Sequence, residues 1–233
     1  MLKSSGPTLR SELKQVTRMK LVAAARESFE TVGYANTSAE DIAALAGASR
    51  ATFYLHFSSK AEVLAEIVSD VHITPVLNLV DTLDDLDHVT VEDLRAWLVE
   101  FVGIYRRTRK IMRAWVQAGG REGGQLIGVA DSMRDKFLDV MSAKVMAIRK
   151  KNELPVDADD ARLRALMMFI QIERFCYYVY LRNLKFDLDA GLDLIASQWH
   201  VTLTGQDSPS DQPSHASASS KKRAAARKRS RQQ

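Results

Sequence analysis

The segment between positions 50 and 60 contains Arg50, Thr52, Tyr54 and Lys60, whose side chains can donate hydrogen bonds. A guanidinium, two hydroxyls and an ammonium suit phosphate oxygens and base edges, and Arg can make paired hydrogen bonds to guanine. Phe53 and Phe57 are four residues apart, so on a helix they share one face and are expected in the core. The polar side chains would then point outward, and their types favour contact with a nucleic acid.

The sequence has no pattern typical of a metal site or of catalysis. The histidines, at positions 56, 72, 88, 200 and 215, are never three or four residues apart, and none is beside Cys176. The run GGREGG, residues 119–124, has neither the GxGxxG order nor the GK[ST] ending of phosphate-binding loops. Adjacent carboxylates, as in Asp84 and Asp85, point in different directions on a helix. We therefore predict no metal, no cofactor and no enzymatic activity.

The composition fits an intracellular protein with a sizeable core. The chain has 233 residues, of which 46% are hydrophobic, enough for one large domain or two small ones. A single cysteine excludes an internal disulfide, as suits a reducing cytosol. No run of about 18 apolar residues occurs, and MLKSSGPTLR lacks the apolar stretch of a signal peptide. We expect a cytoplasmic protein that does not enter a membrane.

The charge is unevenly distributed along the chain. Residues 1–60 have eight Lys or Arg against five Asp or Glu, and residues 205–233 have seven against two. Because the whole chain is +4, the middle has a net charge of −4. A polyanionic partner would therefore be bound at the ends of the chain.

Helical periodicity covers almost the whole of residues 15–204, which predicts an all-α fold. A long helix is expected to begin near Ser59 and to be kinked or broken at Pro75. Further helices are predicted near 91–108, 109–117, 125–151, 158–184 and 188–203.

Residues 38–57 predict two short helices joined by a tight turn. Ser38 with Asp41, or alternatively Thr37 with Glu40, forms the capping box of the first helix. Gly47 can adopt the left-handed conformation that ends this helix, and Ser49 can cap the second. Such a unit can place its second helix in the major groove of DNA.

The stretch TSAEDIAALAGASRATFYLHFSSKAEVL, residues 37–64, resembles the DNA-binding domain of TetR-family transcriptional regulators, and the resemblance runs from about Thr17 to Leu64. One departure is Ala51, where many members have glycine. The resemblance implies an N-terminal domain that binds DNA and a helical C-terminal domain that binds an inducer and dimerises. It places these residues at the DNA: Thr37, Ser38, Arg50, Thr52, Tyr54, His56 and Lys60. Tyr54 and Lys60 match phosphate contacts, Arg50 is our choice for a base contact, and His56 could equally bond a neighbouring helix.

Aromatic and methionine side chains in the middle of the chain could be ordinary core or the wall of a deformable cavity. Our candidates for a ligand cavity are Trp97, Phe101, Tyr105, Met112, Trp115, Met141 and Phe175. The basic run YRRTRK, residues 105–110, could receive an anionic head group, although such cations more often close a helix C-terminus.

The helices near 158–184 and 188–203 are apolar on more than one face, which predicts a second partner and hence a dimer interface. Our candidates for this interface are Phe169, Tyr177, Tyr180, Leu184, Leu194 and Trp199. The segment from Gly205 onward is poor in apolar residues and is predicted to be disordered. Its KKRAAARKRSR run could raise non-specific DNA affinity or could be an idle solvated tail.

The predicted organisation is a flexible arm at 1–14, a helix-turn-helix domain at 15–62, a ligand-binding and dimerisation domain at 63–204, and a tail at 205–233. The predicted function is a homodimeric repressor that leaves a palindromic operator when a small apolar ligand binds. A corepressor-dependent regulator or an activator is the close alternative, and an architectural DNA-binding protein is a more distant one.

Overall fold

The computed structural model describes residues 9–85, 89–120 and 123–206. Within these ranges all regular structure is helical, so the predicted all-α fold is confirmed. The α-helices are α1 (Leu9–Thr31), α2 (Ala39–Leu45), α3 (Arg50–His56), α4 (Lys60–Val68), α5 (Thr74–Asp81), α6 (Val91–Gly119), α7 (Gly123–Lys151), α8 (Ala158–Cys176) and α9 (Leu188–Thr204). Two π-helical segments, Ser69–Ile73 and Tyr177–Leu181, follow α4 and α8.

The ends of the chain differ in part from the prediction. Because α1 begins at Leu9, the flexible arm expected at 1–14 is wrong for residues 9–14, which are helical. Residues 1–8 of the expected arm lie outside the described residues. At the other end, α9 ends at Thr204, and Gly205 has a left-handed φ of 68°. The predicted tail from residue 207 onward, with its basic run, also lies outside the described residues.

The helix-turn-helix unit forms as the local signals predicted. Ser38 and Asp41 make a reciprocal capping box at the start of α2, and the Ser49 hydroxyl accepts from the Thr52 amide at the start of α3. Gly47, between the two helices, has a φ of 68°, a conformation that costs glycine little. Phe53 and Phe57 are both fully buried in the core.

A continuous helical run, Lys60–Asp81, joins the two halves of the molecule. No break occurs at Pro75; α4 passes through the π-helical segment Ser69–Ile73 into α5, where Pro75 is in the first turn. A wider turn just before proline accommodates a residue that has no N–H and crowds the preceding turn. By length and composition this run could cross a membrane, but 44% of its most apolar window is buried inside the protein.

The C-terminal half is a bundle of long helices in which α6 packs on α9 and α7 packs on α8. Two expected boundaries are wrong. The helices expected at 91–108 and 109–117 are one continuous helix, α6. Thr108 does not end it, because its hydroxyl donates to the Ile104 carbonyl of the preceding turn. The helix expected to reach residue 184 changes to π-helix after Cys176, and Asn183 then adopts a left-handed φ of 54°.

Candidate functional site

The outward face of α3 presents a mixed polar and apolar surface. Arg50 and Tyr54 are exposed, and the Arg50 guanidinium lies 5.8 Å from the centre of the Tyr54 ring. Leu55, next to Tyr54, is 76% exposed, and Leu45 at the end of α2 is 51% exposed. The sequence interpretation missed these two leucines because it assigned apolar residues to the core. Apolar side chains at such positions can contact the methyl group of thymine.

Three polar residues expected at the DNA have side chains that also take part in local structure. Thr37 is only 2% exposed, and its hydroxyl donates to the Gly33 carbonyl at 2.9 Å. Ser38 uses its hydroxyl in the capping box with Asp41, although it remains exposed. The Thr52 hydroxyl is 2.9 Å from the Ser49 hydroxyl. A DNA contact by the Thr37 side chain would therefore need this part of the domain to open.

Lys60 also has partners within the chain. Its ammonium donates to the carbonyls of Tyr34 at 2.9 Å and Thr37 at 2.8 Å, and it lies 4.3 Å from the centre of the Tyr34 ring. This arrangement ties the start of α4 to the turn between α1 and α2. The phosphate contact expected for Lys60 competes with these bonds.

His56, the last residue of α3, is half-buried and faces cations of α1. Its Nδ1 is buried and has no hydrogen-bond partner among the described residues, so the expected bond to a neighbouring helix is not made through this atom. Burial lowers the pKa of His56, and the nearby Lys14 and Arg18 lower it further. The imidazole is therefore mostly neutral near pH 7. It lies on the side of α3 that faces α1.

A cavity of about 480 Å³ lies in the C-terminal half, between the run Lys60–Asp81 and helices α6, α7 and α8. Four of the expected lining residues do line it: Phe101, Tyr105, Met112 and Trp115. Phe169 and Tyr177, which we expected at a dimer interface, also line this cavity. The volume is in the range of sites for drug-sized ligands.

Three residues expected in the cavity wall lie elsewhere. Trp97 donates its indole N–H to the Leu79 carbonyl at 2.8 Å and packs in the core against Phe101. Met141 is fully buried in the core, and the Phe175 ring lies against Gly191 of α9. The positions of these three side chains depend on the rotation of each helix about its axis. That rotation decides which of its apolar faces lines the cavity.

The polar groups of the cavity are paired or neutral. His72 is buried and its Nδ1 is 2.9 Å from the Thr108 hydroxyl, while burial lowers its pKa to about 4. Because the Thr108 hydroxyl donates to the Ile104 carbonyl, Nδ1 of His72 is the donor in their bond. Arg134 is held by two aspartates, and Glu173 pairs with Arg174 at 2.8 Å. Burial raises the pKa of Glu173.

A second apolar surface lies on the outside of α8 and α9. Leu163, Met167 and Ile170 are exposed on α8 and line one groove of about 760 Å³ with the exposed Leu194 of α9. Of our expected interface residues, Leu184 and Leu194 are exposed and Tyr180 is half-buried against Tyr105. Trp199 is buried and donates to Gln171 at 2.8 Å, so it belongs to the core of the protomer.

Comparison with known proteins agrees with this architecture. The family described as "Bacterial regulatory proteins, tetR family" matches residues 21–67. The HTH-type transcriptional regulator TtgR of Pseudomonas putida is 40% identical over 63 residues, 27% of this chain and 30% of that protein. The matched region therefore spans less than a third of this curated relative.

Solved structures match over most of the chain. SmeT, the repressor of a Stenotrophomonas maltophilia multidrug efflux pump, is 28% identical in its complex with triclosan, with a TM-score of 0.59. That match covers 79% of this chain and 91% of SmeT. FadR of Thermus thermophilus, solved with lauroyl-CoA, is 21% identical with a TM-score of 0.57, over 82% of this chain and 97% of FadR, and so shows a shared fold. Residues 21–67 therefore match the N-terminal domain of TetR-family regulators, and most of the chain shares the fold of solved structures such as SmeT and FadR.

Proposed function

We propose that this protein is a cytoplasmic, homodimeric repressor that leaves a palindromic operator when a mostly apolar ligand enters the cavity. The observation that carries the proposal is the run Lys60–Asp81, which belongs to both sites. Its first part packs in the helix-turn-helix core through Leu64, which is fully buried. Its later part lines the cavity through His72 and Val76.

A continuous helical run shared by two sites is a physical means of coupling them. A ligand that fits better when the cavity has a different shape shifts His72 and Val76, and the helix transmits this shift to α3. The ligand acts only to the extent that it prefers one arrangement over the other, and operator binding opposes it by the same free energy.

The dimer is proposed to form through the exposed apolar surface of α8 and α9. Burying Leu163, Met167, Ile170 and Leu194 against a second copy would remove a patch that monomeric proteins rarely expose. A two-fold dimer that reads DNA through α3 needs its two recognition helices about 34 Å apart, one turn of B-DNA. The operator is then an approximate palindrome.

The ligand is proposed to be neutral or nearly so. The arginines at the cavity, Arg134 and Arg174, have carboxylate partners within the chain. Arg106 and Arg107 of the YRRTRK run are exposed and do not line the cavity, which argues against their binding an anionic head group there. The triclosan complex of SmeT supports the idea that this architecture accepts compact apolar molecules.

Selection from a pool of random duplex DNA with the full chain tests the proposal. We expect retained sequences to share a palindrome, and triclosan serves as a first probe for release of the selected duplex. A palindrome retained only when a small molecule is added would favour a corepressor. Retention of DNA without any shared sequence would overturn the repressor and favour an architectural protein.

A further inference from the structure

Helix α1 extends beyond the domain that it covers. Its last part is anchored in the core by Leu21, Ala25 and Phe29, which are all buried. The three turns before Leu21 are largely exposed, and at 1.5 Å per residue the stretch from Leu9 to Leu21 is about 18 Å long. The first turns of this overhang lie beyond the buried core of the domain, so their exposed cations face solvent.

Two unpaired cations lie on the overhang in line with the buried face of α1. Lys14 precedes Leu21 by seven residues and Arg10 precedes it by eleven, spacings of two and three helical turns. Both are exposed, and neither has a hydrogen bond or ion pair with the described part of the chain. They therefore point to the side on which α1 covers the helix-turn-helix unit, beyond the edge of its core.

The overhang meets the C-terminal end of α3. The charges of Lys14 and Arg18 act on His56, the last residue of α3. Arg18 lies 4.4 Å from the centre of the Phe57 ring and is neutralised by an ion pair with Glu66. The unpaired Lys14 thus lies near the C-terminal end of α3, and Arg10 lies about one turn further along α1, away from the core.

We propose that Arg10 and Lys14 form a second DNA contact, which binds backbone phosphates beside the base pairs read by α3. The inference rests on the proposed DNA-binding function. Its partner is identified by charge, because unpaired cations next to a recognition helix suit phosphate oxygens. Such a contact adds affinity without sequence preference and positions α3 in the groove.

The test is the salt dependence of DNA binding by the full chain, measured by fluorescence anisotropy on the selected operator and on an unrelated duplex. Each phosphate contact contributes about 0.9 to the slope of log K against log salt. We expect the double variant Arg10→Ala, Lys14→Ala to bind both duplexes more weakly by the same factor. When the salt concentration doubles, the factor by which its affinity falls should be about 3.5 times smaller than the factor for the wild type.

Two variants control for other causes. Lys20→Ala removes an exposed cation from a different face of α1 and should leave the slope near that of the wild type. Arg10→Lys with Lys14→Arg keeps both charges and should keep the wild-type slope. An unchanged slope in the double alanine variant overturns the inference while the repressor proposal stands. If no operator is selected, the repressor proposal fails, and the slope on the unrelated duplex still decides the inference.

Discussion

The Lys60 ammonium donates a hydrogen bond to the Thr37 carbonyl, 2.8 Å away and 23 residues earlier in the chain. A second bond, to the Tyr34 carbonyl, places the same ammonium over the Tyr34 ring. Lys60 thus holds the first turn of α4 against the entrance to α2. The position that suggests a phosphate contact in the sequence has a structural function in the folded domain.

Replacing Lys60 by methionine should destabilise the N-terminal domain. Lys60→Met leaves two half-buried carbonyls without their charged donor, at a cost of about 1–3 kcal/mol. Urea unfolding monitored by circular dichroism measures the loss, and Lys20→Met, at an exposed position, should change stability little. Unchanged stability together with a salt slope reduced by about 0.9 would favour the phosphate contact instead.

His72 should make the protein sensitive to acid. Its folded pKa is about 4, below the ordinary value of 6.5, so the unfolded chain binds a proton that the folded chain excludes. Stability is therefore retained above pH 6.5 and falls as the pH drops towards 4, by about 1.4 kcal/mol per pH unit. The whole window is worth on the order of 3 kcal/mol.

The variant His72→Asn isolates this contribution, because its amide can still donate to Thr108 but does not titrate. As the pH falls from 6.5 to 4.5, we expect the unfolding free energy of the wild type to decrease more than that of the variant. If the unfolding free energies of the two proteins change in parallel over this range, the fold does not prevent protonation of His72.

Arg50 and Tyr54 should differ in what their loss does to DNA recognition. Arg50→Ala removes a guanidinium that can read a guanine edge, so it should cost about 1–3 kcal/mol and relax preference at one base pair. Tyr54→Ala should weaken binding to all duplexes similarly. Selection from random DNA with each variant compares the two patterns, and uniform weakening by Arg50→Ala would show that Arg50 contacts phosphate.

Filling the cavity should separate ligand binding from DNA binding. Ala130 lines the cavity from α7, and Ala130→Phe would occupy space that a ligand needs. We expect a small molecule that releases the wild type from its selected operator to bind this variant at least about tenfold more weakly, while operator affinity is retained. Calorimetry measures ligand binding. The control is Ala130→Ser, which keeps a small side chain at this position. Equal affinity of the two variants for that molecule would place the ligand elsewhere.

A charge on the outer face of α8 should break the dimer. Met167 is 59% exposed in the protomer, and Met167→Asp would place a carboxylate inside the proposed interface. Sedimentation velocity should show a monomer that retains its helical content. The control is Ile127→Asp on α7, where the side chain is equally exposed, at 60%, but lies off this surface. A dimeric Met167→Asp variant would move the interface away from α8.

Much of the helix-turn-helix unit could be predicted from the sequence because its signals are local. The Ser38 capping box, the Ser49 cap and the left-handed Gly47 each depend on residues within four positions of one another. The four-residue spacing of Phe53 and Phe57 likewise sufficed to assign them to the core. All these features survive folding because tertiary contacts act in the same direction.

The partners of polar side chains could not be predicted, because they depend on contacts between distant segments. Thr37 and Lys60 suit DNA by type, but folding brings the Lys60 ammonium to the Thr37 carbonyl and buries the Thr37 side chain. The same holds for Lys14, whose importance depends on where α1 passes α3.

The sequence by itself determined the all-α class, the caps of α2 and α3, and the presence of surplus apolar surface in the C-terminal half. Tertiary structure decided how that surface is used: Phe169 and Tyr177 face the cavity, while Phe175, between them in the same helical run, packs against Gly191. The physical reason is that a helix with apolar residues on more than one face has no single preferred direction of its own. Its neighbours choose which side is core, which is cavity and which is left exposed.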